Sequence, residues 1–268
     1  MYKVNKHGIQ GVISSYNSIE LFLVLLKRNI YSRFIKKSKL MLFFLIFKPL
    51  IQIIIYTLVF TYLAKIDVPN YPYVLIILSG LFFWIPFVSL TLDISTCLEK
   101  NSGMLDRIYI PKNILFLSYM GTGFLELLIL IIYFIFINYY YFETFLFQQL
   151  LIIFPILFFL LFSYIFGSCC AIFAAIRRDF HHIVTLFMQI FFFTTPILYN
   201  FSLIPDKLKI LIFLNPLAGI IEFGRWCLLQ NYSLELNYIF LSFISLIVCL
   251  IIFNLIYKKY NIQINEIL

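Results

Sequence analysis

The length of its apolar runs is what most restricts how this chain folds. Several exceed 18 residues, the length at which an apolar stretch reads as a bilayer-spanning helix. Of 268 residues, 63% are hydrophobic and only 12% are charged. A water-soluble core of this size has no use for 33 Phe and 19 Tyr. Spans are predicted over 40–64, 73–96, 114–138, 147–176, 183–199 and 238–257. The expected fold is an all-α polytopic membrane protein, a single transmembrane domain over 1–268. No internal repeat, low-complexity linker or soluble domain interrupts it.

A net charge of +8 raises the possibility of nucleic acid as a partner. The distribution of the charge argues against it. Lys and Arg gather in the N-terminal region, in the second loop (Lys100, Arg107, Lys112), in the fourth (Arg177, Arg178) and in the tail (Lys258, Lys259). The opposite side holds Lys65, Lys207, Lys209 and Arg225. Cytoplasmic loops carry the excess of Lys and Arg, so both termini are expected in the cytoplasm. Met1–Asn17 is polar and lacks the apolar region of a cleavable signal. The cysteines show no metal-binding spacing and read as buried thiols.

One apolar region is broken. From Phe191 it runs into Thr195-Pro196, crosses a polar tip at Asn200–Ser202, and returns past Pro205. Two short segments follow, Asp206–Leu214 and Leu217–Leu229, parted by Asn215-Pro216. At 1.5 Å per residue they reach roughly 14 and 20 Å, less than the ~30 Å hydrocarbon core. Pro216 lacks an N–H and disfavours helix at Asn215, so the two are not expected to fuse. A re-entrant hairpin over 203–229 fits best. Irregular backbone at membrane depth is tolerated only where protein or a water-filled cavity covers it, which suggests a pathway rather than an anchor.

Residues 17–34 read as an amphipathic interface helix. Asn17 caps it, Glu20 completes a capping box, and Ile19, Phe22, Leu23, Leu26, Ile30 and Phe34 form its stripe. Lys27 and Arg28 lie off the stripe and Arg33 borders it; Lys36, Lys37 and Lys39 follow. Such a helix lies in the interface plane against anionic membrane lipid, or faces a partner. Between the second and third spans, 99–112 carries charges around Met104, Leu105 and Ile108, a composition suited to docking.

Sites of chemistry are sparse. GxxxxGK[ST] and HExxH are both absent, no triad is spaced as such, and the adjacent His181 and His182 point in different directions. The chain is therefore not expected to be an enzyme, nor to hold a metal or a cofactor of its own. Charges inside spans are costly and usually functional. Glu126 either faces a pathway, pairs with a basic group such as Lys48, or is protonated. Asp93 and Lys48 sit near span ends, where snorkelling accounts for them. Glu222 and Arg225 stand i, i+3 on one short helix and are placed to pair with each other or to contact substrate.

Together these residues resemble the transmembrane subunit of type-2 ABC exporters, in the branch exporting lipid-linked O-antigen, capsular polysaccharide or teichoic acid. The resemblance runs from Asn17 to the C-terminus. It is carried by Arg178-Asp179, by Thr195-Pro196-Ile197 with Tyr199 and Pro205, and by Asn215-Pro216-Leu217-Ala218-Gly219 through Glu222 to Arg225. Asn101, Leu105, Arg107, Tyr109 and Pro111 match the second-loop pattern. Met41, Phe44 and Lys48 stand where the family usually has Gly, Trp and a polar residue.

The resemblance implies a homodimer in the bacterial cytoplasmic membrane with a channel at its interface. Two copies of a cytoplasmic ATPase would bind ATP and Mg and thread polymer on a polyprenyl pyrophosphate lipid outward. Asn101, Leu105, Arg107, Tyr109 and Pro111 would belong to the coupling segment. The 17–34 helix would also meet the ATPase, and Phe43, Phe47, Phe191 and Phe192 would form a sugar-facing belt. For those aromatics, composition alone equally fits lipid-facing and packing bulk. The alternatives are a type-2 drug or lipid exporter subunit, a membrane enzyme acting on polyprenyl-linked sugars, and a membrane scaffold.

Overall fold

The computed structural model describes residues 18–35, 39–63, 65, 71–108, 110–142, 147–177 and 179–267. These residues are helical with short connections, and no strand occurs among them. In chain order the helices are α1 (Ser18–Ile30), α2 (Lys39–Leu58), α3 (Tyr73–Ser95), α4 (Lys112–Phe142), α5 (Ile153–Ile176), α6 (Phe180–Thr194), α7 (Asp206–Phe213), α8 (Pro216–Leu228) and α9 (Leu236–Ile267). Two single turns, Cys97–Lys100 and Ser102–Leu105, lie between α3 and α4. The N-cap at Asn17, the basic cluster at Lys36 and Lys37, Tyr109 and Arg178 fall outside the described residues.

Among the described residues, five helices are long and apolar enough to cross a bilayer, or six spans if α7 and α8 count as one broken span. This is a multi-pass membrane protein. α6 is different: its 15 residues rise about 22 Å, short of the hydrocarbon core. A span was expected over 183–199. The helix instead begins at Phe180 and stops at Thr194, where Thr195 turns to extended backbone (φ −98°, ψ 138°) ahead of Pro196.

α3 forms the centre. It is apolar on every face, as a helix surrounded by protein must be, and 78% of its span is buried, against 11% for α2. It packs on α5, α4, α8, α2 and α6. Phe87 stacks on Phe162 of α5 at 5.4 Å between ring centroids. Gly80 permits the closest approach: a Cβ there would stand 2.3 Å from the Ile197 carbonyl oxygen. α9 closes the bundle against α5 and α8. α2 is the loosest span. Between it and α4 lies an apolar cavity of about 590 Å³ lined by Leu50, Ile54, Thr57, Ile132 and Phe136.

α1 lies along α4 on part of its apolar stripe: Leu26 and Ile30 stand against Gly121 of α4, and Phe34 is buried. Ile19 and Leu23 of the stripe are exposed, while Leu25 and Asn29 beside it are buried. Polar partners add to this contact. Asn29 donates to Ser118 of α4 at 2.9 Å, and Arg28 donates to Asn101 at 2.7 Å. A hydrophobic pattern does not register attractions of this kind.

Candidate functional site

The broken segment between α6 and α8 is held by side chains at each of its breaks. The Thr195 hydroxyl donates to the Phe191 carbonyl at 2.7 Å, closing the last turn of α6. Asn215 accepts from the Leu217 amide at 2.9 Å and so caps α8, with Pro216 at the first helical position, where no N–H is needed. The same Asn215 donates to Thr195 at 2.8 Å. α7 and α8 then meet at 104°. Pro205 is the N-cap residue of α7. Pro196 lies just past α6, in the stretch whose carbonyls need outside donors.

Those donors come from two residues. Arg225 of α8 has 0% exposure. It donates to the Ile197 and Tyr199 carbonyls at 3.0 Å each, to Glu222 at 2.8 Å, to Ser79 of α3 at 3.3 Å, and to the Ile76 carbonyl at 3.4 Å. The Leu198 carbonyl between them accepts from the Tyr73 hydroxyl. Three successive carbonyls that left the α6 ladder are thus satisfied from α8 and α3. A buried guanidinium is tolerable because its donors are used and its charge is matched.

Glu222 supplies the matching charge. Its second oxygen accepts from the Tyr232 hydroxyl at 2.7 Å. Tyr232 also touches the Asn200 side chain. Its single proton is shared between these two acceptors. Burial and the Glu222 carboxylate push the Tyr232 hydroxyl up from its ordinary value, so it stays a neutral donor. The i, i+3 spacing exposes Glu222 and Arg225 to sequence reasoning. Tyr232, Tyr73 and Ser79 carry no such signal.

In the segment read as coupling, the residues divide. Asn101 is 7% exposed and faces inward. It donates to the Cys97 carbonyl at 2.6 Å and to Tyr119 at 2.9 Å, and it accepts from Arg28. Its side chain ties α1, α4 and the polar turns together and is not free for a partner. Burial pushes the neighbouring Cys97 thiol well up, keeping it inert. Met104 and Leu105 are half-buried against the bundle, and Pro111 is half-buried. Arg107 and Asp106 are exposed, and Ile108 is 45% exposed. Of the three apolar residues read as a docking centre, Ile108 alone faces outward.

The aromatics divide as well. Phe43 and Phe47 stack at 3.9 Å on an exposed face of α2. Phe191 and Phe192 are half-buried and pack on Trp84 of α3 at 6.2 and 5.3 Å, while Phe193 is exposed. Glu126 pairs with Arg33 at 2.8 Å rather than with Lys48, which is exposed. Asp93 also pairs with Arg33, so snorkelling does not account for it.

A family model described as ABC-2 type transporter matches residues 20–229, a stretch that includes the broken segment and its ion pair. Two proteins from Klebsiella pneumoniae, each an O-antigen export system permease protein RfbA, are 28% identical over 252 residues, covering 93% of this chain and 95% of theirs. A protein of the same name from Myxococcus xanthus is 24% identical over 214 residues, 79% of this chain and 81% of its own. The bundle, the broken segment and the extent of the match agree: the chain belongs to the ABC-2 type transporter family.

Proposed function

We propose that this chain is the channel-forming transmembrane subunit of an ATP-driven exporter. Its cargo is polysaccharide on a polyprenyl pyrophosphate lipid, an O-antigen-like polymer, moved outward across the bacterial cytoplasmic membrane. The observation that carries the reading is the likeness to O-antigen export permeases over 93% of the chain. A dimer of the chain forms the path, with the exposed apolar faces of α2 (Phe43, Phe47, Ile51) and α6 (Leu186, Ile190, Phe193) at or near the contact. Each subunit takes one cytoplasmic ATPase, which binds ATP and Mg. Both termini are cytoplasmic, and the α7–α8 pair re-enters from the outside.

Geometry supports the docking surface. Ile108, Arg107 and Asp106 face outward from the polar turns, an apolar residue rimmed by charge. The test is reconstitution of the chain with its ATPase in proteoliposomes. ATP hydrolysis stimulated by lipid-linked glycan, with ATP-dependent loss of glycan from the ATPase side, supports the reading. Stimulation by amphipathic drugs or simple lipids in place of glycan refutes the cargo.

A further inference from the structure

Arg33 sits in the π-helical turn Tyr31–Ile35, at the joint between α1 and α2. Single π-turns are rare and often mark functional positions. The Arg33 guanidinium reaches two carboxylates on two other helices, Asp93 near the end of α3 and Glu126 of α4. Ser89 bonds both Arg33 and Glu126, and Thr122 donates to Asp93 at 3.3 Å. The other oxygen of Asp93 lies 3.9 Å from the ammonium of Lys100, in the first turn beyond α3. Lys100, Asp93, Arg33 and Glu126 therefore form one line of alternating charge. It runs from the exposed polar turns, through the α1–α2 joint, into the bundle.

Stability alone does not account for this line. Buried ion pairs are often no better than well-packed apolar side chains. Glu126 is 8% exposed, and its Oε2 has no hydrogen-bond partner among the described residues. Connection explains it better. Asp93 is shared, with Arg33 on one oxygen and Lys100 on the other. The Lys100 contact is the long and exposed one, where the line is most easily made and broken. Beyond Arg33, α2 has little burial and a cavity beside it, so its position depends strongly on the joint from which it starts.

We propose that this line is a coupling latch. A displacement of the Cys97–Leu105 turns passes through Asp93 to Arg33 and resets the start of α2. Asp93, Arg33 and Glu126 are then positioning residues for export, a role that rests on the exporter reading above.

The test uses the full-length chain with its ATPase in proteoliposomes. Asp93→Asn is expected to keep ATPase binding and hydrolysis near wild type while glycan export per ATP falls about tenfold, as for a coupling energy of ordinary size. Arg33→Gln should do the same, and Arg33→Lys should recover part of the loss. Wild-type export per ATP in Asp93→Asn overturns the latch. So does a parallel fall in binding, hydrolysis and export, the signature of a merely structural role. If Asp93→Asn reduces the amount of protein in the membrane, the exposed Lys100→Gln decides the matter by the same ratio. A second readout is independent of cargo. A fluorophore on Tyr31→Cys, with the five native cysteines replaced, should respond to ATP, and Asp93→Asn should abolish the response. An unchanged response in Asp93→Asn overturns the latch. A wild-type complex that gives the Tyr31 signal but moves no glycan overturns the cargo assignment and leaves the latch standing.

Discussion

The Asn215 side chain donates to the Thr195 hydroxyl at 2.8 Å across 20 residues of sequence, so the break after α6 and the break before α8 share one hydrogen bond. Asn215 also caps α8. Asn215→Ala therefore removes a cap, worth about 0.5–2 kcal/mol, and frees the Thr195 contact as well. Thr195→Val keeps the cap and removes the second, together with the Thr195 bond to the Phe191 carbonyl. Thermal unfolding in detergent should show both single variants destabilised and the double variant less destabilised than their sum. Strict additivity would show that the two breaks are independent.

Arg225 does more than neutralise Glu222, because Ile76, Ile197 and Tyr199 each lend it a carbonyl. Breaking a buried pair by removing one partner costs about 3–5 kcal/mol. Arg225→Ala should reach that cost, and adding Glu222→Ala should restore little, since the carbonyls stay unpaired. Glu222→Gln should be milder. Protein recovered from membranes and its melting temperature give the order. Full rescue by the double variant would reduce the arginine to a counter-ion.

Tyr232→Phe deletes one hydrogen bond to a buried carboxylate. Bonds to charged groups are worth about 1.5–3 kcal/mol, so a loss in that range is expected at neutral pH, with little change in ATPase binding. A melting temperature equal to wild type would show that Glu222 finds another donor.

Ile108→Asp should lower co-purification of the ATPase while leaving the membrane content of the chain intact, because Ile108 faces outward. Leu105→Asp should instead lower the content itself, because Leu105 packs against the bundle. Arg107→Glu should weaken association most at low salt, as an exposed rim charge does. Equal co-purification by Ile108→Asp and wild type would place docking elsewhere, with the exposed face of α1 next in line.

Orientation has a direct check. Leu203→Cys and Gly103→Cys are both accessible, the second with open space around its Cβ position. In a background with the native cysteines replaced, an impermeant maleimide added outside cells should label the first alone. Labelling of the second alone would invert the topology.

Much of the architecture is legible in the sequence for a physical reason. Hydrocarbon demands long apolar helices, and Pro196 and Pro216 stand where one helix has ended and another begins, while Pro49 and Pro86 lie inside continuous helices. Glu222 and Arg225 are legible because i, i+3 spacing is local geometry. Arg33 is not: its partners lie 60 and 93 residues away, and no periodicity sets the register between helices. The same holds for Tyr232, which meets Glu222 from beyond the end of α8. On α1, apolar spacing marks Leu26, Ile30 and Phe34 but ignores Asn29, whose bond to Ser118 adds a polar contact with α4. Asn101 looked like a docking contact from its place in a polar segment, while its three partners are all internal.

The burial of Arg225 also bears on how the chain is made. Arg225 lies in the last turn of α8, and an arginine brought into the membrane by itself costs up to about 2.5–3.5 kcal/mol, the figure for a helix centre. Its acceptors at Ile76, Ile197 and Tyr199 all precede it in the sequence. When the ribosome delivers α8, those carbonyls have already been synthesised, so the guanidinium has partners waiting for it. Synthesis from the N-terminus thus supplies the arginine with its site before the arginine arrives, and a permuted chain that began with α8 would have to bring it into the membrane alone.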